Sequence, residues 1–530
     1  RDKLVTGVQT CALPICTQLP DWTAGDTWYI GEMGVGATQQ RFSIDNLAPS
    51  RNARAWIKVV SWFGNSLLSP NHATTLAINT GPALDSVAFS LDEQALMFAE
   101  FPASLLSDGE DTLRLVNHNI QGSGYSSIMV DWYEVEYPRS LFSTARQWDF
   151  RVDESMRPGP ATIAMRSTGS GDAWLLRSTA NGSVLLPSLA PGAQRPDTWL
   201  FADTLIHGAE YVFTHQDSLR LPSPGERRTI TPIVTPGEQA SYVLIAADEL
   251  LPSSRTYADF IRTRYGVSVK VVGIGEVYDN YSYGMFLPEA IKMLTFDAYH
   301  AWTTDSLRHV FLVGDANYNY RFATGPYSRN LVPSYGSPVS DIWFACFDTL
   351  QIRPSFAVGR LSARTNAEVD AYRRKHEAYL DHPFDLWNKS TVHFSGGDLN
   401  KGDIELQKYK AINQYVVDKL VTLPPFSGNV THFFKNLDPQ SDFGPYTDAW
   451  VKQRIQEGGV FISYVGHSGT ATWDNSISSP AQIENAAGRG SLVTDFGCST
   501  GRFAEPDIIS FSEAAVVPES SQFIGYIGNA

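Results

Sequence analysis

The sequence predicts a multidomain chain in which an N-terminal β-sandwich region precedes an α/β domain built on a mostly parallel sheet. Three observations predict it. Up to about residue 140 the chain runs in short alternating stretches such as Ala53-Arg54-Ala55-Trp56-Ile57-Lys58-Val59, the period of half-buried strands. From Ser241 onward the runs become continuously apolar, as in Tyr242-Val243-Leu244-Ile245-Ala246, which suits strands covered on both faces. Those runs alternate with helical stretches, the pattern of parallel strands joined by crossover helices.

At 530 residues the chain has room for roughly three or four domains. Its net charge of −15, from 41 Lys+Arg against 56 Asp+Glu, disfavours nucleic-acid binding, which needs clustered cations. No uncharged apolar stretch is long enough to cross a membrane. Residues 1–15, RDKLVTGVQTCALPI, read as a sequencing scar, with Val5–Ile15 back-translating to the end of a sequencing-library adapter, and carry no fold information. The natural N-terminus, with any secretion signal, is therefore expected upstream. The peptidase-like region is likewise expected to continue past Gly528-Asn529-Ala530.

In order, residues 17–140 read as a β-sandwich, with Thr112-Leu113-Arg114-Leu115 and Ile128-Met129-Val130-Asp131-Trp132-Tyr133 among its strands. Residues 141–237 continue with short strands and Gly/Pro breaks, a small β-rich domain or linker. Two α/β subdomains are expected next, over 238–385 and 386–530. In the first, a strand at 242–246 leads to a helix around 257–265, a strand at 267–272 and a helix from Pro288 to Trp302, Pro suiting a first turn. Strands at 309–313 and 356–358 and a helix at 366–379 complete it. The second has strands at 391–395, 460–465, 492–496 and 523–527, with a helix at 404–420.

Two predicted strand ends carry the chemistry. Phe461–Val465 runs into Gly466-His467-Ser468-Gly469, and Leu492–Phe496 runs into Gly497-Cys498-Ser499-Thr500-Gly501. Reactive groups of open parallel sheets collect beyond the carboxyl ends of strands. A histidine and a cysteine 31 residues apart, on consecutive strands, can meet there. A free thiol is only a few per cent thiolate at neutral pH, so a neighbouring imidazole makes it useful as a nucleophile. The flanking glycines let a substrate backbone approach and leave N–H groups for an oxyanion. A bland reading stands beside this one: Cys498 as a small core hydrophobe and His467 as a hydrogen-bonded loop residue. No zinc spacing is present.

The segments Tyr464-Val465-Gly466-His467 with Trp473, Gly497-Cys498-Ser499-Thr500-Gly501-Arg502-Phe503 and Phe511-Ser512-Glu513-Ala514 resemble the gingipain family of cysteine peptidases. Matches at Glu276–Asp279, Phe311–Asp315, Ser340–Phe344 and Val358–Leu361 extend the resemblance in order over roughly 240–530. Within the family the chain is most similar to the PorU-type sortases of the bacterial type IX secretion system. The resemblance implies a caspase-like α/β fold, protein or peptide substrates, a secreted or cell-surface (outer-membrane associated) setting and outer-membrane secretion machinery as a partner. By position it implies Cys498 as nucleophile, His467 as its proton-transfer partner and Asp398 as the acid orienting the histidine, with Asp403 and Asp341 as rivals.

Gingipains carry Gly directly after the histidine where this chain has Ser468, so Gly466, Ser468, Gly469, Gly497 and the Cys498 N–H all remain candidates for the oxyanion and substrate backbone. Trp473 is expected to wall the substrate pocket, with a core aromatic as the alternative. No cofactor is required, and calcium enters only as a structural ion by analogy. Asp315, after the strand 309–313, reads as structural or a cation ligand. Cys346, between Phe344 and Phe347, reads as a buried hydrophobe. The expected activity is peptide-bond cleavage through a thiol acyl-enzyme, with hydrolysis or transpeptidation as its outcome. The alternative is a non-catalytic surface-binding protein with a relic peptidase domain.

Overall fold

The computed structural model describes residues 17–18 and 28–529, apart from 50, 66, 92, 121–124, 144–146, 153–155, 169–171, 190–196, 220–228, 319–324, 337–338, 348–352, 398–401, 436–446, 474–487 and 522. Two compact units divide the chain, Trp28–Arg227 and Arg228–Ala530. No helix among the described residues is long and apolar enough to cross a membrane.

The first unit is built from antiparallel sheets. Alternation in Asn52–Gly64 puts Ala53, Ala55, Ile57 and Val59 inside and their neighbours outside. This strand sits in a four-stranded sheet of order Gly31–Met33, Ser126–Glu136, Asn52–Gly64, Gln94–Pro102. A second sheet orders Gly36–Ile44, Gly109–Asn117, His72–Ile78 and Ala83–Phe89. Both contribute to one core that includes Phe42, Leu76, Leu113, Met97 and Tyr133. Each such side chain contributes roughly 1.5–3 kcal/mol on burial. His72 lies wholly inside, bonded to Ser61 and Ser126 hydroxyls at 2.9 and 2.7 Å. Residues 142–215 form two further small sheets around a separate aromatic core of Trp148, Trp199, Phe201, Tyr211 and Phe213.

The second unit is α/β. Its strands are β1 (Tyr242–Ala246), β2 (Val269–Gly273), β3 (His309–Val313), β4 (Ala357–Leu361), β5 (Ser390–Ser395), β6 (Asn429–Phe434), β7 (Phe461–Val465), β8 (Ser468–Gly469), β9 (Thr472–Trp473), β10 (Ser491–Asp495) and β11 (Phe523–Gly528). Its helices are α1 (Leu251–Tyr265), α2 (Ile274–Tyr281), α3 (Pro288–Ala301), α4 (Asn366–Asp381), α5 (Asp403–Val416), α6 (Asp448–Gln456) and α7 (Phe511–Val516). One all-parallel sheet orders β2-β1-β3-β4 and another β6-β5-β7-β10-β11. The parallel α/β expectation is met, and the winding of the first sheet recurs in the second. β5 is buried at all six positions, as a central strand covered on both faces must be.

Local signals set the helix ends. Thr365 and Glu368 form a capping box at α4, Ser510 and Glu513 another at α7. Gly266 ends α1 at φ 64°, a left-handed cap that a side chain disfavours. Helices α2, α6 and α7 and the edge strand β6 lie outside the sequence expectations. All are short, from six to nine residues, too short for periodicity to declare them.

Candidate active site

Strand register brings the two reactive residues to one end of the sheet. β7 and β10 pair in parallel with Phe461 opposite Leu492 and Tyr464 opposite Asp495. The same offset separates His467 from Cys498, so each stands three residues beyond a matched pair. The chain reverses its winding direction between β5 and β7, since β6 lies on one side of β5 and β7 on the other. Such a reversal opens a crevice at the strand carboxyl ends, and the turns after β5, β7 and β10 rim it.

Alternation carries through β10 into its turn. Ser491, Val493, Asp495 and Gly497 are buried, whereas Leu492, Phe496 and Cys498 are exposed. Cys498 is thus a free, solvent-facing thiol, which removes the inert-core reading for it. Cys346 is buried, as its aromatic neighbours suggested. Cys498 lines a cleft of about 920 Å³ with Asp341, Arg360, Leu492, Phe503 and Ile527.

His467 stands on the α5 side of the β7 turn, with its side chain 38% exposed. Its Nε2 lies 3.4 Å from Oε1 of Glu405, which is 16% exposed in the first turn of α5. The Tyr409 ring, one turn further along α5, meets the imidazole edge-on at 5.9 Å. A carboxylate there orients the ring. Among the described residues no hydrogen bond joins Cys498 to His467, and the residues lining the Cys498 cleft do not include His467.

The two turns touch directly. A Cβ at Gly497 would lie 2.1 Å from Ser468 Oγ and 2.7 Å from Ser468 Cβ. The residue after the histidine therefore sits on the residue before the cysteine, and only glycine fits. Gly466 is equally constrained: a Cβ there would lie 2.7 Å from Tyr464 Oη and 3.0 Å from Gly396 Cα. Gly466 thus serves close approach of the turns after β5 and β7.

A buried framework ties both turns to the core. Trp473 is 3% exposed and stacks on Tyr464 at 4.5 Å and Phe511 at 4.8 Å. The Tyr464 hydroxyl donates to the His467 carbonyl. Trp473 Nε1 donates to Asp495 Oδ2 at 2.5 Å, and that oxygen also accepts from Thr500 Oγ1 at 2.7 Å and from the Tyr526 hydroxyl. Asp495 Oδ1 accepts from the Gly497 N–H at 2.6 Å. One indole therefore braces the histidine turn through Tyr464 and the cysteine turn through Asp495.

Several sequence expectations change accordingly. Trp473 takes the core reading among the described residues, its ring enclosed by Phe394, Tyr464 and Phe511. Gly497 offers no free N–H to an oxyanion, since Asp495 holds it. Ser468 and Gly469 pair with Trp473 and Thr472 in a two-residue hairpin. Asp398 lies outside the described residues. Of its rivals, Asp403 is exposed at the start of α5. Asp341 is engaged by Arg360 through two bonds of 2.7 and 2.9 Å.

Asp315 is buried and shares Arg364 with Glu513 at 2.7 and 2.6 Å. Burial and the Glu513 charge push its carboxyl up to about 7. Glu405 went unnamed from sequence, although an acid in the first turn of the helix after β5 was the available signal. Among the described residues no three His, Cys, Asp or Glu side chains gather to hold a metal ion.

A sequence model of peptidase family C25, the gingipain family, matches residues 235–530. Among solved structures the chain is similar to dimeric latent PorU from Porphyromonas gingivalis. The two are 15% identical at TM-score 0.47, over 72% of this chain and 39% of that one. It is also similar to the complex of Porphyromonas gingivalis RgpB pro- and mature domains, at 15% identity and TM-score 0.39, over 54% and 62% of the two chains. The Arg-specific cysteine proteinase gingipain R matches at 16% identity and TM-score 0.39, over 53% and 59%. The chain thus spans well under half of the PorU chain it matches. No curated protein sequence matches it. The parallel α/β unit carries the caspase-like fold expected of it, and over residues 235–530, more than half its length, the chain belongs to peptidase family C25.

Proposed function

We propose that this chain is a cysteine endopeptidase in which Cys498 is the nucleophile, His467 its proton-transfer partner and Glu405 the carboxylate behind the imidazole. The observation that carries this reading is the shared register of His467 and Cys498 beyond β7 and β10. The Cys498 thiolate attacks the scissile carbonyl carbon, forming a C–S bond, and the C–N bond breaks as His467 gives its proton to the leaving amine. The Cys498 and Ser468 N–H groups are the candidates to meet the oxyanion. Water then attacks the thioester with His467 as base, releasing the acid and restoring the thiol. An amine attacking instead forms a new peptide bond, the sortase outcome.

Protein substrates, a secreted or cell-surface setting and outer-membrane secretion machinery as partner belong to the same reading. Cys498→Ala is expected to abolish peptide cleavage and labelling of the Cys498 peptide by an acyloxymethyl-ketone probe. Cleavage retained by that variant would reject the assignment. Supplying an amine acceptor and resolving products by mass spectrometry separates transpeptidation from hydrolysis.

A further inference from the structure

We propose that Lys375 is a positioning residue for the Cys498 thiol, an internal ammonium that occupies a cage of backbone carbonyls and, through β11, holds the nucleophile turn in place. Lys375 is 4% exposed on α4. Its Nζ donates to the carbonyls of Pro518 at 2.9 Å, Ser521 at 2.8 Å and Phe523 at 3.4 Å, and to that of Val516. All four lie between the last residue of α7, Val516, and the first of β11, Phe523. Glu519, within that stretch, is gripped by Arg374 through two bonds of 2.7 Å. The ammonium is therefore met by carbonyl dipoles, the arrangement in which an oxygen-bound metal ion is usually found.

Desolvation pushes Lys375 down to about 7. An amine set in so unfavourable a place has a structural task, because an apolar side chain there would leave these carbonyls without this donor. The connection to the nucleophile is traceable. β11 starts at Phe523, whose carbonyl closes the cage. Its Tyr526 hydroxyl reaches Asp495. At its end Asn529 Nδ2 donates to the Gly497 carbonyl at 2.8 Å, and the Asn529 carbonyl accepts from the Gly501 N–H at 2.7 Å. Asn529 thereby brackets Cys498 on both sides. α4 is thus pinned to the strand that clamps the cysteine turn by Lys375 Nζ, beside a Tyr372 hydroxyl that donates to the Ile524 carbonyl at 3.0 Å.

The role rests on the catalytic reading of Cys498, but the linkage is tested without it. Amide hydrogen exchange is measured over residues 497–501 and 523–529 in the whole chain, with peptide cleavage in parallel. In Lys375→Ala, exchange in both segments is expected to accelerate, and kcat to fall about tenfold with KM nearly constant, as for a misplaced reacting group. Propylammonium, which can refill the cage, is expected to restore slow exchange and kcat. Tetramethylammonium, with equal charge and no N–H, is expected to do neither.

Lys375→Met, which keeps the apolar stem, serves as the second variant should alanine unfold the chain, and is expected to show the same faster exchange. Unchanged exchange at 497–501 in the folded variant, or equal rescue by both cations, would overturn the proposal. Wild-type protein without peptidase activity would instead count against the catalytic reading, leaving the exchange result to decide the linkage.

Discussion

Asp495→Asn tests how the cysteine turn is held. The side chain is 2% exposed, and its two oxygens divide four donors unevenly. Oδ2 takes Trp473 Nε1, Thr500 Oγ1 and the Tyr526 hydroxyl, while Oδ1 takes the Gly497 N–H. An asparagine of the same shape keeps one acceptor. With its oxygen at the Oδ2 place, its NH2 points at the Gly497 N–H, donor against donor. With the amide flipped, three buried donors lose their partner.

The flip is worse, so the first arrangement prevails and the Gly497 bond is lost. A bond to a charged acceptor contributes about 1.5–3 kcal/mol, and the three that remain weaken as their acceptor loses its charge. Together these amount to a loss of about 3–5 kcal/mol in the α/β unit. Urea unfolding followed by near-ultraviolet circular dichroism reads this directly, since Trp473 is one of the partners. A change below about 1 kcal/mol would refute the reasoning, because four buried bonds cannot converge on an uncharged, half-capable acceptor without effect.

Two further outcomes are expected. Glu405→Gln keeps the size of the side chain but removes the charge behind His467, and is expected to lower kcat about tenfold with KM little changed; wild-type rates in a peptidase assay would remove Glu405 from the site. Acid is expected to weaken the fold through His376, which is held between the Tyr257 and Tyr265 hydroxyls at 3.1 and 2.7 Å. Burial, with Arg264 adding to it, pulls that imidazole down from 6.5 to about 4. The unfolded chain then binds the proton first, so stability present above about 6.5 is lost as pH falls toward 4. Between pH 6.5 and 4.5 the loss is about 2 kcal/mol from this group, and His376→Phe should flatten that part of the denaturation profile.

The strands of the α/β unit were legible because their pattern is local. Tyr242–Ala246 and His309–Val313 begin and end where the apolar runs do, since a strand between two helical layers needs apolar residues on both faces. The emergence of His467 and Cys498 just beyond two strand ends was also readable, whereas the register that matches those strands came from the fold.

Other features are written only in three dimensions. Glu405 reaches His467 across 62 residues of chain, by virtue of α5 returning beside the β7 turn. Trp473 looked like a pocket residue from its place after the histidine, yet the two-residue hairpin turns it inward onto Tyr464. Lys375 sits on a helix of ordinary helical pattern, and nothing nearby in sequence announces four carbonyls from 516–523. Periodicity and capping report what a residue's immediate neighbours impose, whereas partners for a buried charge are chosen by strand order and register. Those depend on how distant segments pack, so the reactive pair was visible in the chain and its supports only in the fold.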